Sequence, residues 1–460
     1  MIESSGWTPV WAMPNVTLDD PIEASLVALV NCHDQRLREV AGRHSALQTF
    51  LNAFRNEFGT PICPTIGMVR ESARQNVKTT AAFGGFRDAV CMSAVIFGQG
   101  MTLSSKTNPI GIVHSDAFDV YPWFPTPQMD GRISVVTPAL AGTELVDRLQ
   151  PQQNPALGNR QLLASQIDQP LLSVVLKRWE RCFAGGNEGV EDRRLFRALD
   201  MARAASRTPG GADASEHDAG RSAALWVSAF EILTHNGNKA DLKGVLSRLN
   251  SVQWLSSKLK AQDRRVTINK KETVPTNLAG EIYGRLYRVR CDFLHGEPVT
   301  AKTLKLEKSG RQVQWFAASL FRLALTAFLD LRFSEAVPND SQGLGHFIAT
   351  RIDFSQAQRI SEDAILLADE RDGTASQELT PTSSRRGLDR RPRGARRACR
   401  TAARSGPTAS AARPRASQPP GPSPGGQQSI CPAPHARPGR PSRGVGATIQ
   451  SNCAGGHSSG

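Results

Sequence analysis

The sequence predicts a multidomain protein: a mixed α/β N-terminal domain, then an all-α helical bundle, then a disordered arginine-rich tail. Three observations support this fold class. The chain has 460 residues, 39% of them hydrophobic, which is enough for two or three domains with real cores. Apolar residues recur at helical spacing from about residue 170 to 335. From about residue 384, Arg, Ala, Gly, Pro and Ser dominate. The predicted segments are residues 1–165, 170–340, a C-terminal extension at 341–375, and the tail at 376–460.

The net charge of +14 is concentrated in the tail. Fourteen Arg and the single Asp389 from residue 381 onward contribute +13, so the preceding part carries only about +1. The main body would therefore meet a nucleic acid through a local patch and not through a global field. The tail has two interpretations: an RNA-binding arm around residues 385–400, or the product of a shifted reading frame in a GC-rich gene.

Cysteine usage and hydropathy indicate the cellular compartment in which we expect the protein. The eight cysteines form no CxxC pair and no dense framework, which favours reduced thiols in a cytoplasm and predicts no structural metal. The N-terminus lacks a signal-peptide pattern. The most apolar stretch, residues 315–331, contains Arg322, so a buried helix is favoured over a membrane span. We expect no cofactor and no membrane partner.

The N-terminal domain is predicted from one helix and several short apolar runs. Residues 35–58 have helical spacing and stop at a glycine and a proline. The best strand candidates are "SAVIFG" (93–98), "IGIVHSDAFDVYPWF" (110–124) and "ISVVTP" (133–138). Residues 151–159 are typical of a connector. His114 and Asp116 alternate on the candidate strand and Asp119 follows at a turn, a spacing found in some metal sites. Such spacing is common, and no metal is predicted there.

The helical bundle is predicted from six amphipathic or apolar segments separated by Gly, Pro, Asn and Lys-rich loops. These segments are residues 170–183, 190–207, 220–236, 241–250, 277–296 and 310–333.

The segment 277–296 has the clearest pattern. Its apolar residues, from Leu278 to Phe293, repeat every three or four positions and are expected to face the core. A neighbouring polar stripe contains Arg285, Arg288, Asp292 and His295. Gly296 is predicted to cap the helix and Pro298 to prevent its continuation, which places His295 in the last turn, at the negative end of the helix dipole. That position favours a protonated imidazole near neutrality.

Arg290 and His295 are the residue types that metal-free RNA cleavage needs. The reaction requires a base for the 2′-hydroxyl proton, a cation for the phosphate charge, and an acid for the leaving 5′-oxygen. Five residues along a helix correspond to a rotation of about 140°, so one chain does not place the two side chains on one face. A second copy related by a two-fold axis would complete the site, which predicts a homodimer.

The motif resembles the HEPN superfamily, small helical bundles that commonly act as metal-independent endoribonucleases. The segment "YRVRCDFLHGEP" (287–298) contains the Arg-x-x-x-x-His signature at the end of an apolar helix, and with "RLFRALDMARAAS" and "ALWVSAFEIL" upstream it resembles the Apea-like subgroup over residues 185–335. The resemblance implies that Arg290 and His295 are the catalytic pair and RNA is the substrate. Asp292, Glu231 and Tyr287 are the supporting residues.

Proteins of this group are commonly phage-defence or toxin-like effectors, which implies cytoplasmic RNA cleavage to 2′,3′-cyclic phosphate and 5′-hydroxyl ends, under an unidentified trigger or antitoxin. One departure is Cys291, where the family usually has Asn or Asp. Asp292 is expected either to substitute in part by orienting the imidazole or to form an exposed ion pair with Arg288, four residues earlier. Cys291 as a nucleophile is disfavoured, because a helix interior does not lower its pKa. The alternative is a non-catalytic RNA-binding or dimerising scaffold, with Arg290 paired to Glu231 across the bundle.

Overall fold

The structure, a computed structural model, comprises a mixed α/β N-terminal region followed by a mostly helical region. It describes residues 6–56, 58–105, 111–121, 123–125, 133–137, 140–146, 160–186, 189–209, 214–235, 242–269 and 271–371. The predicted connector at 151–159 and the predicted disordered tail at 376–460 lie outside the described residues, so both remain predictions.

An antiparallel four-stranded sheet begins the N-terminal region. Its strands stand in the order β1-β5-β4-β3. The strands along this part of the chain are β1 (Trp7–Met13), β2 (Val16–Leu18), β3 (Ile22–Glu23), β4 (Val27–Val30) and β5 (Thr65–Arg70). Trp11 lies opposite Gly67 on β5, and a Cβ atom at Gly67 would overlap the indole ring. Glycine is therefore required where the indole crosses the neighbouring strand.

The two faces of this sheet bury different layers. Along β4, Ala28 and Val30 pack with α1 (Gln35–Arg43) and α2 (Ser45–Asn52), whereas Val27 and Leu29 face the main core. This alternation follows from the two-residue period of a strand. The helix predicted over residues 35–58 is thus two shorter helices, because His44 takes an extended conformation between them.

The prediction of a strand at residues 93–98 is wrong. This run lies within α3 (Thr80–Ser104), a helix whose residues are buried on nearly every side. A helix surrounded by protein has no polar face, so its local sequence does not differ from that of a buried strand. By length and composition α3 is the one helix among the described residues that could cross a membrane, but 78% of its most apolar window is buried inside the protein.

The prediction for residues 110–124 is wrong over most of its length. Of the described part, Ser115–Phe118 form a short 3-10 helix, and only β6 (Trp123–Pro125) is a strand. The third predicted strand is confirmed as β7 (Ile133–Thr137), which lies between β6 and β8 (Leu140–Val146) in a small antiparallel sheet. Farther along the chain, β9 (Arg160–Leu162) pairs with β2 in parallel.

All six predicted helical segments are confirmed, with ends that differ by a few residues. The segment at 310–333 starts with a 3-10 turn, Val313–Phe316, and the segment at 170–183 ends in a π-helical turn, Glu180–Ala184. The helices of this region are α4 (Gln169–Trp179), α5 (Val190–Ala205), α6 (Glu216–Thr234), α7 (Leu242–Asn250), α8 (Ser257–Lys260), α9 (Leu278–Leu294), α10 (Ala301–Leu304), α11 (Ala317–Phe328), α12 (Ser341–Thr350) and α13 (Ile352–Leu366).

Some of these elements were not predicted. A hairpin of β10 (Arg264–Asn269) and β11 (Glu272–Thr276) precedes α9 and packs against it. The predicted extension at 341–375 contains α12 and α13, and α13 contacts α3, α4 and α11.

One hydrophobic core joins the N-terminal and helical regions. It extends from Trp11 to Ala368, and α3 packs against α4, α5, α11 and α13. The boundary predicted near residues 165–170 therefore does not separate two cores, although it does mark the change from mixed α/β to helical structure. The apolar stretch at 315–331 is confirmed as a buried helix, and Arg322 has no exposed surface.

The expectation that the cysteines are reduced is wrong for one pair. Cys32 and Cys63 form a disulfide, with Cα atoms 5.6 Å apart. Cys32 follows β4 and Cys63 precedes β5, two adjacent antiparallel strands. Strand pairing brings the two residues together, and their separation of 31 residues gives no local sequence signal for it.

Candidate functional site

Helix α9 places the predicted catalytic residues, and its apolar stripe is largely as predicted. Asn277 caps its start by accepting a hydrogen bond from the Gly280 amide at 3.0 Å. The buried apolar stripe contains Leu278, Ile282, Leu286 and Val289. Phe293 is only half-buried and lies beside the ring of His217, with ring centroids 4.9 Å apart. The core contact therefore weakens over the last turn of α9.

The end of α9 forms the predicted glycine cap. The Gly296 amide donates to the Phe293 carbonyl at 3.4 Å, and the Glu297 amide donates to the Asp292 carbonyl at 2.9 Å. Gly296 has a φ of +77°, a left-handed conformation that favours glycine. This hydrogen-bond pattern is the Schellman motif, and it holds His295 at the helix terminus with an exposed side chain.

Arg290 extends from α9 toward α6. Its Nη2 atom lies 3.7 Å from Oε2 of Glu231, and its guanidinium carbon lies 5.6 Å from the centre of the Tyr287 ring. Burial works against the cation, but the Glu231 carboxylate together with Cys291 and Tyr287 outweighs burial, so the pKa of Arg290 is raised. Arg290 is therefore a permanent positive charge, held by an ion pair and an aromatic ring.

The two tyrosines beside Arg290 do not act as acids or bases near neutrality. Burial raises the pKa of Tyr287 and raises the pKa of Tyr283 well above its ordinary value. Tyr283 is fully buried, and among the described residues its hydroxyl has no hydrogen-bond partner. The predicted supporting role of Tyr287 is therefore to position the guanidinium.

Within one chain the structure does not bring Arg290 and His295 together. Arg290 turns toward Glu231, whereas His295 lies about 7.5 Å farther along the axis. In the described part of the chain, the Asp292 carboxylate makes no hydrogen bond or ion pair, either with Arg288 or with the imidazole. The expected orientation of His295 by Asp292 is thus not formed. Cys291 is a half-buried free thiol.

Asp116 and Asp119, considered as metal ligands, belong instead to a network of ion pairs that includes Asp88 on α3, Arg203 on α5 and Arg207 just after α5. Arg207 lies 3.0 Å from Asp116 and 2.6 Å from Asp119, and Arg203 lies 3.0 Å from the buried Asp88. Burial lowers the pKa of His114. These carboxylates thus form ion pairs with arginines, and their role is structural.

Sequence reasoning missed a groove beside α9, on the face that carries Arg285 and Arg288. It has a volume of about 240 Å³ and lies between α9, β10 and the chain following α10. Its charged lining includes Arg265, Arg285 and Arg288. Arg285 and Arg288 were visible as a polar stripe, but Arg265 was not, because the hairpin that carries it was not predicted.

Comparisons with known proteins identify no relative. No protein-family model matches the chain, and neither the curated proteins nor the solved structures include a significant match.

Proposed function

We propose that this protein is a metal-independent endoribonuclease of HEPN type, with Arg290 and His295 as its catalytic pair. The observation that carries the proposal is the end of α9. An exposed histidine lies at a glycine-capped helix terminus, five residues after an arginine whose charge is fixed. A fixed cation and an accessible imidazole are the two groups that transesterification of RNA requires.

In this mechanism the 2′-oxygen attacks the phosphorus and the bond to the 5′-oxygen breaks. His295 of one copy takes the 2′-hydroxyl proton, and the imidazolium so formed donates a proton to the departing 5′-oxygen. Arg290 neutralises the non-bridging oxygens. The products end in 2′,3′-cyclic phosphate and 5′-hydroxyl. Glu231 supports the site as the partner of Arg290. Asp292 would take part only if the second copy or the RNA brought a partner to its carboxylate.

The geometry of a single chain favours a homodimer. Arg290 and His295 point in different directions on one helix, so a second α9 is needed to place an arginine beside a histidine. In a cell we expect the dimer to act in the cytoplasm as a phage-defence or toxin-like effector.

A second candidate function is a non-catalytic RNA-binding or dimerising scaffold. The contact between Arg290 and Glu231 favours it, because an arginine already paired with a carboxylate is less available to a phosphate. The two candidates differ in turnover, so RNA cleavage separates them.

The test is cleavage of RNA by the purified full chain in EDTA. We expect the wild type to produce fragments whose 5′-hydroxyl ends accept a labelled phosphate without prior phosphatase treatment. His295→Ala and Arg290→Ala should each reduce the rate by roughly 100-fold or more. His346→Ala, which changes an exposed histidine on α12, is the matched control and should cleave like the wild type.

Mixing the two inactive variants tests the shared site. If each pocket takes residues from both copies, mixed dimers of His295→Ala and Arg290→Ala retain one arginine and one histidine and should recover part of the activity. A wild type that binds RNA but leaves it intact in EDTA would favour the scaffold, and a His295→Ala variant as active as the wild type would exclude the proposed mechanism.

A further inference from the structure

The groove between α9 and the β10–β11 hairpin has an apolar floor and a basic rim. Its floor includes Val266, Ile282 and Leu306. At Gly284 a Cβ atom would lie 2.9 Å from the methyl groups of Val266, so glycine lets the hairpin approach the helix closely and form one wall. The rim, in contrast to this apolar floor, is formed by charged residues.

The acidic residues of the rim are mostly neutralised, whereas three arginines are not. Arg264 lies 2.5 Å from Asp369 and 3.4 Å from Glu281, and Lys308 lies 3.1 Å from Asp369. Of the lining carboxylates, only that of Glu307 makes no ion pair among the described residues.

The three remaining arginines converge on the groove. Arg265, Arg285 and Arg288 make no ion pair with any described carboxylate. The Nε atom of Arg285 is buried without a hydrogen-bond partner, and its Nη2 atom has one long bond, 3.4 Å, to the Lys302 carbonyl. Guanidinium groups in this state are suited to a phosphate, which accepts several hydrogen bonds at once.

The groove lies on the same face of α9 as His295. Residues 281, 285, 288, 292 and 295 follow each other at spacings of four and three, which defines one side of a helix. Arg288 and His295 are about 10.5 Å apart along the axis. We propose that this groove binds the phosphodiester backbone of the RNA strand whose scissile phosphate lies at His295. The proposal rests on the proposed function for the identity of the ligand.

The test measures how tightly the full chain binds a single-stranded RNA with 2′-O-methyl sugars. The proposed mechanism cannot cleave this RNA, because it lacks a free 2′-hydroxyl. The triple variant Arg265→Ala/Arg285→Ala/Arg288→Ala should bind about tenfold or more weakly at low salt. The slope of log affinity against log salt should fall by about two, since each lost phosphate contact contributes about 0.7 on a single strand.

A matched control separates the groove from total charge. Arg43→Ala/Arg332→Ala/Arg359→Ala removes the same charge from exposed positions elsewhere and should keep the wild-type affinity and slope. The arginine-rich tail contributes equally to every variant. Because Arg285 is half-buried, the double variant Arg265→Ala/Arg288→Ala, which changes only exposed side chains, should show the same direction of effect.

Three outcomes would overturn the proposal. In the first, the control triple weakens RNA binding as much as the groove triple does; in the second, the groove variants bind RNA like the wild type. In the third, AMP binds more tightly than the oligonucleotide and its binding is weakened by the groove variants. Cleavage is measured separately on unmodified RNA. An inactive wild type whose groove variants still weaken binding would reject the nuclease and keep the groove. An active wild type whose groove variants bind RNA as tightly as the wild type would keep the nuclease and reject the groove.

Discussion

Arg322 and Arg290 lie on two helices that pack against each other, and each has a carboxylate partner, but their surroundings differ. Arg322 on α11 has no exposed surface and lies 2.6 Å from Asp168. Its Nη1 atom donates to Gln358 at 2.8 Å. Arg290 on α9 is 25% exposed and lies 3.7 Å from Glu231.

The difference indicates which arginine is available to a ligand. Arg322 connects α11 to the start of α4 and, through Gln358, to α13, and no solvent path reaches it. Its role is structural. Arg290 has a long contact, a partly exposed surface and an exposed histidine one and a half turns away. A phosphate entering beside α9 would compete with Glu231 for the guanidinium, whereas nothing can reach Arg322.

The largest effect is expected at Arg322. Arg322→Met leaves the carboxylate of Asp168 buried without its cation, which should lower the free energy of unfolding by about 3–5 kcal/mol. Adding Asp168→Asn should recover part of the loss, because the buried charge of Asp168 is then removed and the helix cap is kept. Urea denaturation measures the free energy of unfolding of both variants. A loss below about 1 kcal/mol in Arg322→Met would show that Arg322 does not have the structural role assigned to it.

A much smaller effect on stability is expected at Arg290. Arg290→Ala removes a long, partly exposed ion pair and a contact with Tyr287, so the free energy of unfolding should fall by about 1 kcal/mol or less. Glu231→Gln, which breaks the same pair from the other side, serves as the matched variant. A loss as large as that of Arg322→Met would mean that Arg290 is also structural, and would favour the scaffold over the nuclease.

The smallest effect is expected at Tyr283, a fully buried residue of α9. Tyr283→Phe removes a buried hydroxyl that has no described partner, so stability should stay equal or rise by up to about 1 kcal/mol. Tyr287→Phe, at a half-buried position on the same helix, is the control. Destabilisation by more than about 1 kcal/mol at Tyr283 would reveal a hydrogen bond to a group outside the described residues.

Much of the helical region was predictable because its signals are local. The stripe from Leu278 to Val289, the glycine at 296 and the proline at 298 define where α9 faces and where it ends. The N-terminal region was harder for the opposite reason. In α3, burial on nearly every side removes the polar face from which a helix is recognised, and the run at 93–98 was interpreted as a strand.

By itself the sequence determined the order of the later helices, the position of Arg290 and His295 on α9, and the glycine cap that exposes His295, because spacing and capping act over a few neighbouring residues. Only the tertiary structure decided which groups these residues meet. The pairing of Arg290 with Glu231, the burial of Arg322 against Asp168, the disulfide between Cys32 and Cys63, and the groove that Arg265 shares with α9 all join residues distant in sequence. Such contacts depend on how elements pack, and no local pattern of residue types encodes that packing.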